Sequence, residues 1–207
     1  MTLRDYRQCQ AAQDLQPYGA EWPPTILPYP PSPRPLRLLF IGVNPPPGGG
    51  FWADDDDVLL KKMHWIFTRL AWTKSTVALD FRAEFRERGF YLIHTVKCFR
   101  KQRLPTRGKG RLIAGCAKAH LGHEITQLEP ERICLLGNDP LEGVRQVGMG
   151  FTGRKGDAAE GSERMLRVAG SDVPVLMTYF PSGDTGRALL LCHLRSWRHT
   201  ADIPVTP

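Results

Sequence analysis

The stretch Leu36-Arg37-Leu38-Leu39-Phe40-Ile41-Gly42-Val43-Asn44-Pro45-Pro46-Pro47-Gly48-Gly49-Gly50-Phe51 decides the fold, because it joins an apolar run to an unusual loop. The run from Leu36 to Val43 has the length of a strand and little alternation, which is typical of a strand covered on both faces in a parallel sheet. The prolines that follow restrict the backbone, and the glycines let a ligand approach it closely. We therefore predict a buried strand that ends in a ligand-binding loop.

Similar apolar runs recur along the chain, and amphipathic stretches separate them. The other predicted strands are Phe90 to Val96, Arg132 to Leu136 and Val173 to Phe180. Helices are predicted at about Leu3 to Leu15, Val58 to Trp72, Phe81 to Arg88, Leu112 to Leu128, Pro140 to Gln146 with Asp139 as its cap, and Arg187 to Trp197. Alternating strands and helices predict an α/β fold, a three-layer α/β/α sandwich with a central four-stranded, mainly parallel sheet. The segment from Gly148 to Gly170, rich in glycine and charge, is predicted to be a mobile excursion.

The length of 207 residues and the 42% hydrophobic content suit one domain with one sizeable core. We divide it into residues 1–35, a helix and a proline-rich strap with seven prolines between Pro23 and Pro35, and residues 36–200, the α/β core. The sequence has no apolar run of membrane-spanning length and no secretory signal, and its five cysteines suit a reducing compartment better than a disulfide framework. We expect a soluble, cytoplasmic protein, and we assume a monomer only by analogy with similar folds.

The net charge of +7 favours a polyanionic partner, and one segment concentrates it. No acid interrupts the seven basic residues of this segment: Lys97, Arg100, Lys101, Arg103, Arg107, Lys109 and Arg111. Next to a cleft, such a cluster would neutralise nucleic-acid phosphates and release counterions. The alternative is a solvated loop without a ligand.

The Gly42 loop matches neither common nucleotide-binding motif. No Gly-Lys-Ser/Thr follows it, and it does not fit the Gly-x-Gly-x-x-Gly pattern of dinucleotide-binding folds. A nucleotide cofactor is therefore not expected.

Four short motifs, in order along the chain, resemble those of the uracil-DNA glycosylase superfamily. Gly42-Val43-Asn44-Pro45 is similar to its first motif, and Ile93-His94-Thr95-Val96-Lys97-Cys98 to the Asn-x-x-Lys-Cys block of its iron–sulfur branch. Pro130-Glu131-Arg132-Ile133-Cys134-Leu135-Leu136-Gly137 matches the next segment, and Thr178-Tyr179-Phe180-Pro181-Ser182 resembles the last motif, Thr-Tyr-His-Pro-Ser. The resemblance covers roughly residues 36–187.

The resemblance implies a monofunctional DNA N-glycosylase that flips a damaged base out of the duplex and hydrolyses its N-glycosidic bond in base excision repair. Asn44 would orient the water, unless its amide only caps its own turn. Phe51 would stack on the base beside Val43, although Trp52 could replace it or both could be core. His94 stands where the family places the Asn that recognises uracil, and Phe180 replaces a His, so a member that binds nucleic acid without excising a base is the alternative.

DNA itself would be held by the basic segment and by the last motif. The expected contacts are Lys97, Arg100, Lys101, Arg103, Arg107, Ser182, and Arg187, which would probe the gap left by the flipped base. Arg187 could instead lie on the solvated face of the last helix.

We expect no cofactor and no metal. The iron–sulfur branch uses four cysteines, but only Cys98 and Cys116 stand near matching positions, since Cys9-Gln10-Ala11-Ala12 lacks the second N-terminal ligand. Cys134 and Cys192 are expected to be buried thiols. The acidic run Asp54 to Asp57 precedes a predicted helix, where carboxylates cap free N–H groups and favour the positive end of the helix dipole, so we interpret it as a cap.

Overall fold

A computed structural model of the protein describes residues 10–20, 29–98, 101, 103–154 and 156–200. The predicted elements within these ranges are present, with ends shifted by a few residues. The strands are β1 (Leu38–Gly42), β2 (Phe90–His94), β3 (Ile133–Leu136), β4 (Glu163–Val168) and β5 (Ser171–Thr178). The helices are α1 (Gln10–Asp14), α2 (Val58–Arg69), α3 (Ala78–Glu87), α4 (Lys109–Cys116), α5 (Gly122–Leu128), α6 (Asn138–Val147), α7 (Asp157–Glu160) and α8 (Gly183–Ser196), and a π-helical segment, Ala117–Leu121, joins α4 to α5.

The sheet has five strands in the order β2-β1-β3-β5-β4, so the predicted count of four is wrong by one. The four predicted strands are mutually parallel, and β4 pairs antiparallel with β5 at one edge. Strand β1 lies between β2 and β3, and its end at Gly42 is therefore flanked by the ends of both neighbours.

The extra strand β4 lies inside the segment predicted to be mobile, and that prediction is wrong. Its sequence Glu163-Arg164-Met165-Leu166-Arg167-Val168 buries only Leu166 and Val168, which is typical of an edge strand with one covered face. The turn Ala169-Gly170 has positive φ at both residues, the geometry of a tight hairpin. The charged face of β4 made the segment look like a loop.

Helices cover both faces of the sheet, which confirms the three-layer arrangement. Successive side chains of β1 point to opposite faces: Leu38 and Phe40 pack with α2, α3 and α8, whereas Leu39 and Ile41 pack with α5 and α6. All five residues of β1 are buried, as the apolar run predicted.

The ends of two helices test the predicted caps. Asp57 caps α2, since its carboxylate accepts a hydrogen bond from the backbone N–H of Leu60 at 2.8 Å, which confirms the interpretation of the acidic run. Asp139 is not a cap, because α6 begins one residue earlier, at Asn138, and its cap position is Gly137. In the part of the chain that the structure describes, no helix has the length and apolar character needed to cross a membrane.

Candidate active site

The carboxyl ends of the four parallel strands meet at one edge of the sheet, where α/β folds bind their ligands. The residues that follow them are Val43 and Asn44 after β1, Thr95 to Lys97 after β2, Gly137 after β3, and Tyr179 to Ser182 after β5. Backbone hydrogen bonds hold these ends together: Thr95 N–H donates to Gly42 at 2.9 Å and Val96 N–H to Val43 at 2.8 Å. The sequence motifs quoted above therefore converge.

Asn44 is held by its amide nitrogen. Nδ2 donates to the carbonyl of Lys101 at 2.7 Å and to that of Pro45 at 3.2 Å. Two carbonyl acceptors fix the orientation of the amide, because only the nitrogen can donate to them. The bond to Pro45 is the local turn contact considered above, and the bond to Lys101 ties Asn44 to the basic segment. Oδ1 is left as the acceptor that Asn44 can offer to water.

His94 ends β2 directly beside Gly42, its partner in the register of β1 and β2. The side chain is 3% exposed, and Nδ1 lies 2.9 Å from the hydroxyl of Tyr29. Burial, with a smaller contribution from Lys97, lowers the pKa of His94 from 6.5 to about 3. The ring is therefore neutral at physiological pH.

Lys97 is not a DNA contact, and this prediction is wrong. The residue is 3% exposed, and its ammonium nitrogen lies 2.7 Å from Oε2 of Glu124 in α5. It also donates to the carbonyl of His94. Burial lowers the pKa of Lys97 to about 7, against a smaller opposing contribution from Cys116, and burial raises the pKa of Glu124, because desolvation penalises both charges. The first cation of the basic segment belongs to the interior.

The remaining cations of the segment divide into exposed and paired residues. Lys101, Arg103 and Arg107 are exposed and make no ion pair with an acid among the described residues. Lys109 pairs with Asp139 at 2.7 Å, and Arg111 lies over the ring of Tyr18. Arg100 lies outside the described residues. The exposed charge next to Asn44 is therefore smaller than the sequence suggested.

Phe51 lies in the core, not at the edge of a pocket. Its side chain is 1% exposed, and its ring packs against Trp52 at 4.9 Å and Phe85 at 5.1 Å between centroids. Trp52 is half-buried, and its indole N–H donates to the carbonyl of Leu92 at 2.8 Å. These contacts favour the alternative in which both aromatic residues belong to the core.

Phe180, which follows β5, lies next to Gly137, the residue that follows β3. A Cβ on Gly137 would lie 3.6 Å from the Cβ of Phe180, so the two residues are in contact range across neighbouring strands. Ser182 is exposed at the cap position of α8, and its side chain makes no capping hydrogen bond.

Arg187 lies in the first turns of α8 and is held against the protein. Its guanidinium lies 4.9 Å from the centre of the Trp65 ring on α2 and contacts Asp184. Its role as a probe of the DNA stack stays a prediction.

Two of the four described cysteines form a close pair. The sulfurs of Cys98 and Cys116 are 3.1 Å apart, and both side chains are buried with Ala12 and Leu15. Cys134 is buried as expected, whereas Cys192 is exposed, because it points away from the sheet on α8. Within the described ranges no group of three or more His, Cys, Asp or Glu side chains could hold a metal, but Cys9 lies outside them, so the absence of a cluster stays a prediction.

Sequence reasoning missed Tyr29, Glu124 and the Lys101 carbonyl, although each touches a candidate residue. Tyr29 lies in the proline-rich strap, 65 residues from His94, and only folding brings them together. The available signal for Glu124 was a carboxylate at helical spacing between the apolar residues Leu121 and Leu128.

Comparison with known proteins gives the family. The chain matches none of the curated proteins. The family model of the uracil DNA glycosylase superfamily matches residues 31–186. These residues contain every strand of the sheet and the segments that follow the carboxyl ends of the parallel strands. Because this match covers well over half of the chain, the protein belongs to the uracil DNA glycosylase superfamily.

Proposed function

We propose that the protein is a monofunctional DNA N-glycosylase that hydrolyses the N-glycosidic bond of uracil or a related damaged base, in base excision repair. One observation carries the proposal: Asn44 stands at the convergent strand ends with its amide nitrogen engaged by two carbonyls. That arrangement leaves Oδ1 available as a hydrogen-bond acceptor. The family match is the second support, since members of this superfamily are usually DNA glycosylases.

The proposed chemistry is hydrolysis with a positioned water. Asn44 Oδ1 accepts a hydrogen bond from a water and holds it at the sugar C1′ while the bond to the base breaks. An amide is too weak a base to remove the proton early, so positioning is its contribution. Phe180 cannot donate to the base, and His94 is the remaining candidate for stabilising the departing base.

Binding is proposed to involve the exposed cations next to Asn44. Lys101, Arg103 and Arg107 would neutralise phosphates, together with Arg100. Ser182 adds a hydroxyl at the N-terminus of α8, where the helix dipole favours an anion. Val43, His94 and Phe180 would surround the flipped base. Phe51 has no place in this pocket, because its ring is enclosed by the core.

The experiment is single-turnover excision on oligonucleotides that contain uracil, hypoxanthine, xanthine or a mismatched thymine. We expect an alkali-labile abasic site from at least one of them. If the protein binds these oligonucleotides and leaves every base in place, the proposal fails and the member that only binds nucleic acid replaces it.

The assignment of Asn44 has its own test. Asn44→Ala removes the acceptor and should reduce single-turnover excision by about 100-fold or more, the effect of losing one positioned polar group, while the affinity for DNA changes little. Asn138→Ala, at an exposed asparagine after β3 on the same edge, is the matched control and should keep most of the activity. Equal losses in the two variants would remove the role of Asn44.

A further inference from the structure

The strap is fastened to the outer edge of β2 by two tyrosines. The hydroxyl of Tyr91 donates to the carbonyl of Pro30 at 2.5 Å, and the rings of Tyr29 and Tyr91 lie 6.5 Å apart. Separately, the hydroxyl of Tyr29 lies 2.9 Å from Nδ1 of His94. The contact is shielded from water, because His94 is 3% exposed.

The direction of this hydrogen bond follows from the protonation of its partners. His94 is neutral, with its pKa lowered to about 3, and therefore carries one ring hydrogen. Burial raises the pKa of Tyr29 well above 10, so its hydroxyl keeps its hydrogen. Nδ1 is the acceptor that the structure offers to the hydroxyl hydrogen. The ring hydrogen then lies on Nε2.

The edge of the ring that bears Nε2 faces the candidate site. A Cβ added to Gly42 would lie 3.2 Å from Cδ2 of His94 and 3.7 Å from Nε2, so this edge lies against the end of β1. Gly42 leads through Val43 to Asn44. Tyr29 and the end of β1 therefore lie beside different nitrogens of one imidazole.

We propose that Tyr29 is a positioning residue that keeps His94 as an Nε2–H donor, so that the pocket selects a base with a carbonyl oxygen where the parent base carries an amino group. The inference rests on the proposed function and assigns to Tyr29, acting through His94, the discrimination between a carbonyl and an amino group, as between uracil and cytosine or between hypoxanthine and adenine. A carbonyl accepts from Nε2–H. An amino group in its place would leave two donors facing each other in a desolvated contact, and polar sites reject such analogues strongly.

The first test measures the tautomer without any DNA. Long-range nitrogen–proton correlation NMR of the imidazole should show a neutral His94 with its hydrogen on Nε2. Tyr29→Phe removes the hydroxyl and should produce a mixture of both tautomers. Tyr91→Phe is the matched control, because it removes the other hydroxyl bond of the strap and should leave the His94 signals unchanged. A hydrogen on Nδ1 in the wild-type protein, or one unchanged tautomer in Tyr29→Phe, would overturn the inference.

The second test measures selectivity with oligonucleotides whose 2′-fluorinated sugar resists cleavage. Wild-type protein should bind uracil more tightly than cytosine, and hypoxanthine more tightly than adenine, at the same position. Tyr29→Phe should narrow both ratios about 10-fold or more, whereas Tyr91→Phe should not. Unchanged ratios in Tyr29→Phe would contradict the inference.

A double variant guards against a merely structural effect. In a His94→Asn background the amide presents both a donor and an acceptor, so adding Tyr29→Phe should no longer change selectivity. If the same narrowing persists in that background, Tyr29 does not act through His94. The two hypotheses also fail separately: a wild-type protein that excises no base but shows the Nε2–H tautomer and prefers carbonyl bases refutes only the proposed activity.

Discussion

Lys97 and Lys101 lie four residues apart in one basic segment, yet the fold gives them opposite surroundings. Lys97 is 3% exposed and paired with Glu124, whereas Lys101 is exposed and contributes its backbone carbonyl to Asn44. A buried charge acts on stability, because its partner cannot remain alone in the interior. An exposed charge acts on long-range binding and has little effect on folding. The number of charges in a segment therefore says less about its function than their depth does.

The largest expected effect separates the two lysines. Lys97→Met leaves Glu124 in the interior without its cation and should lower the free energy of unfolding by about 3–5 kcal/mol. Urea denaturation measures the loss. The double variant Lys97→Met/Glu124→Leu should be more stable than the single one, because it removes both buried charges. If Lys97→Met is as stable as wild type, burial does not give Lys97 a role in stability that Lys101 lacks.

Glu84 on α3 is a carboxylate whose exposure lies between those of Lys97 and Lys101. Burial alone would raise its pKa, but hydrogen bonds from Ser75, Thr73 and Lys74 outweigh burial and lower the pKa from 4.5 to about 2. Because the folded pKa is depressed, this stabilisation is present above pH 4.5 and is lost as the pH falls toward 2.

Glu84→Gln should cost about 1–3 kcal/mol at neutral pH and flatten the loss of stability in acid. Thermal unfolding between pH 2 and pH 7 measures both. Glu87→Gln, an exposed residue on the same helix, is the control. If the stability of Glu84→Gln falls as steeply in acid as that of wild type, other carboxylates are responsible for acid unfolding.

The cap of α2 gives a smaller effect. Asp57→Ala removes the acceptor of the Leu60 N–H and should lower the free energy of unfolding by about 1 kcal/mol. Asp56→Ala, which removes an exposed partner of Lys61, should change it by less than about 0.5 kcal/mol. Equal changes in the two variants would mean that burial does not distinguish these neighbouring carboxylates.

The exposed cations should have the smallest effect on folding and a clear one on binding. Lys101→Ala and Arg103→Ala should leave the free energy of unfolding within about 0.5 kcal/mol of wild type. Each should reduce the slope of log K for DNA against log salt by about 1. Arg167→Ala, on the edge strand β4, is the control. An unchanged slope in the first two variants would remove this loop from the interface.

The order of strands and helices could be predicted because it depends on local pattern. The apolar run of β1 can be buried only between two helical layers, and the acidic run before α2 has one evident use, as a cap. Strand β4 escaped prediction, since an edge strand with one charged face differs little from a loop until it pairs with β5.

The candidate site, too, could be predicted only in part from the sequence. Asn44 was identified because the loop after a buried strand is where such folds bind ligands. The core position of Phe51 and the burial of Lys97 were not identifiable, because each depends on partners distant in sequence: Phe85 for the first, Glu124 for the second.

The sequence by itself determined the α/β class, the family and the strand ends at which the candidate residues stand, since these follow from apolar periodicity and short motifs. The tertiary structure alone decided which of those residues face the site. Whether a lysine binds phosphate or pairs inside the protein depends on desolvation, a property of the folded surroundings. The hydrogen that His94 presents depends likewise on Tyr29, which only the folded strap brings within reach.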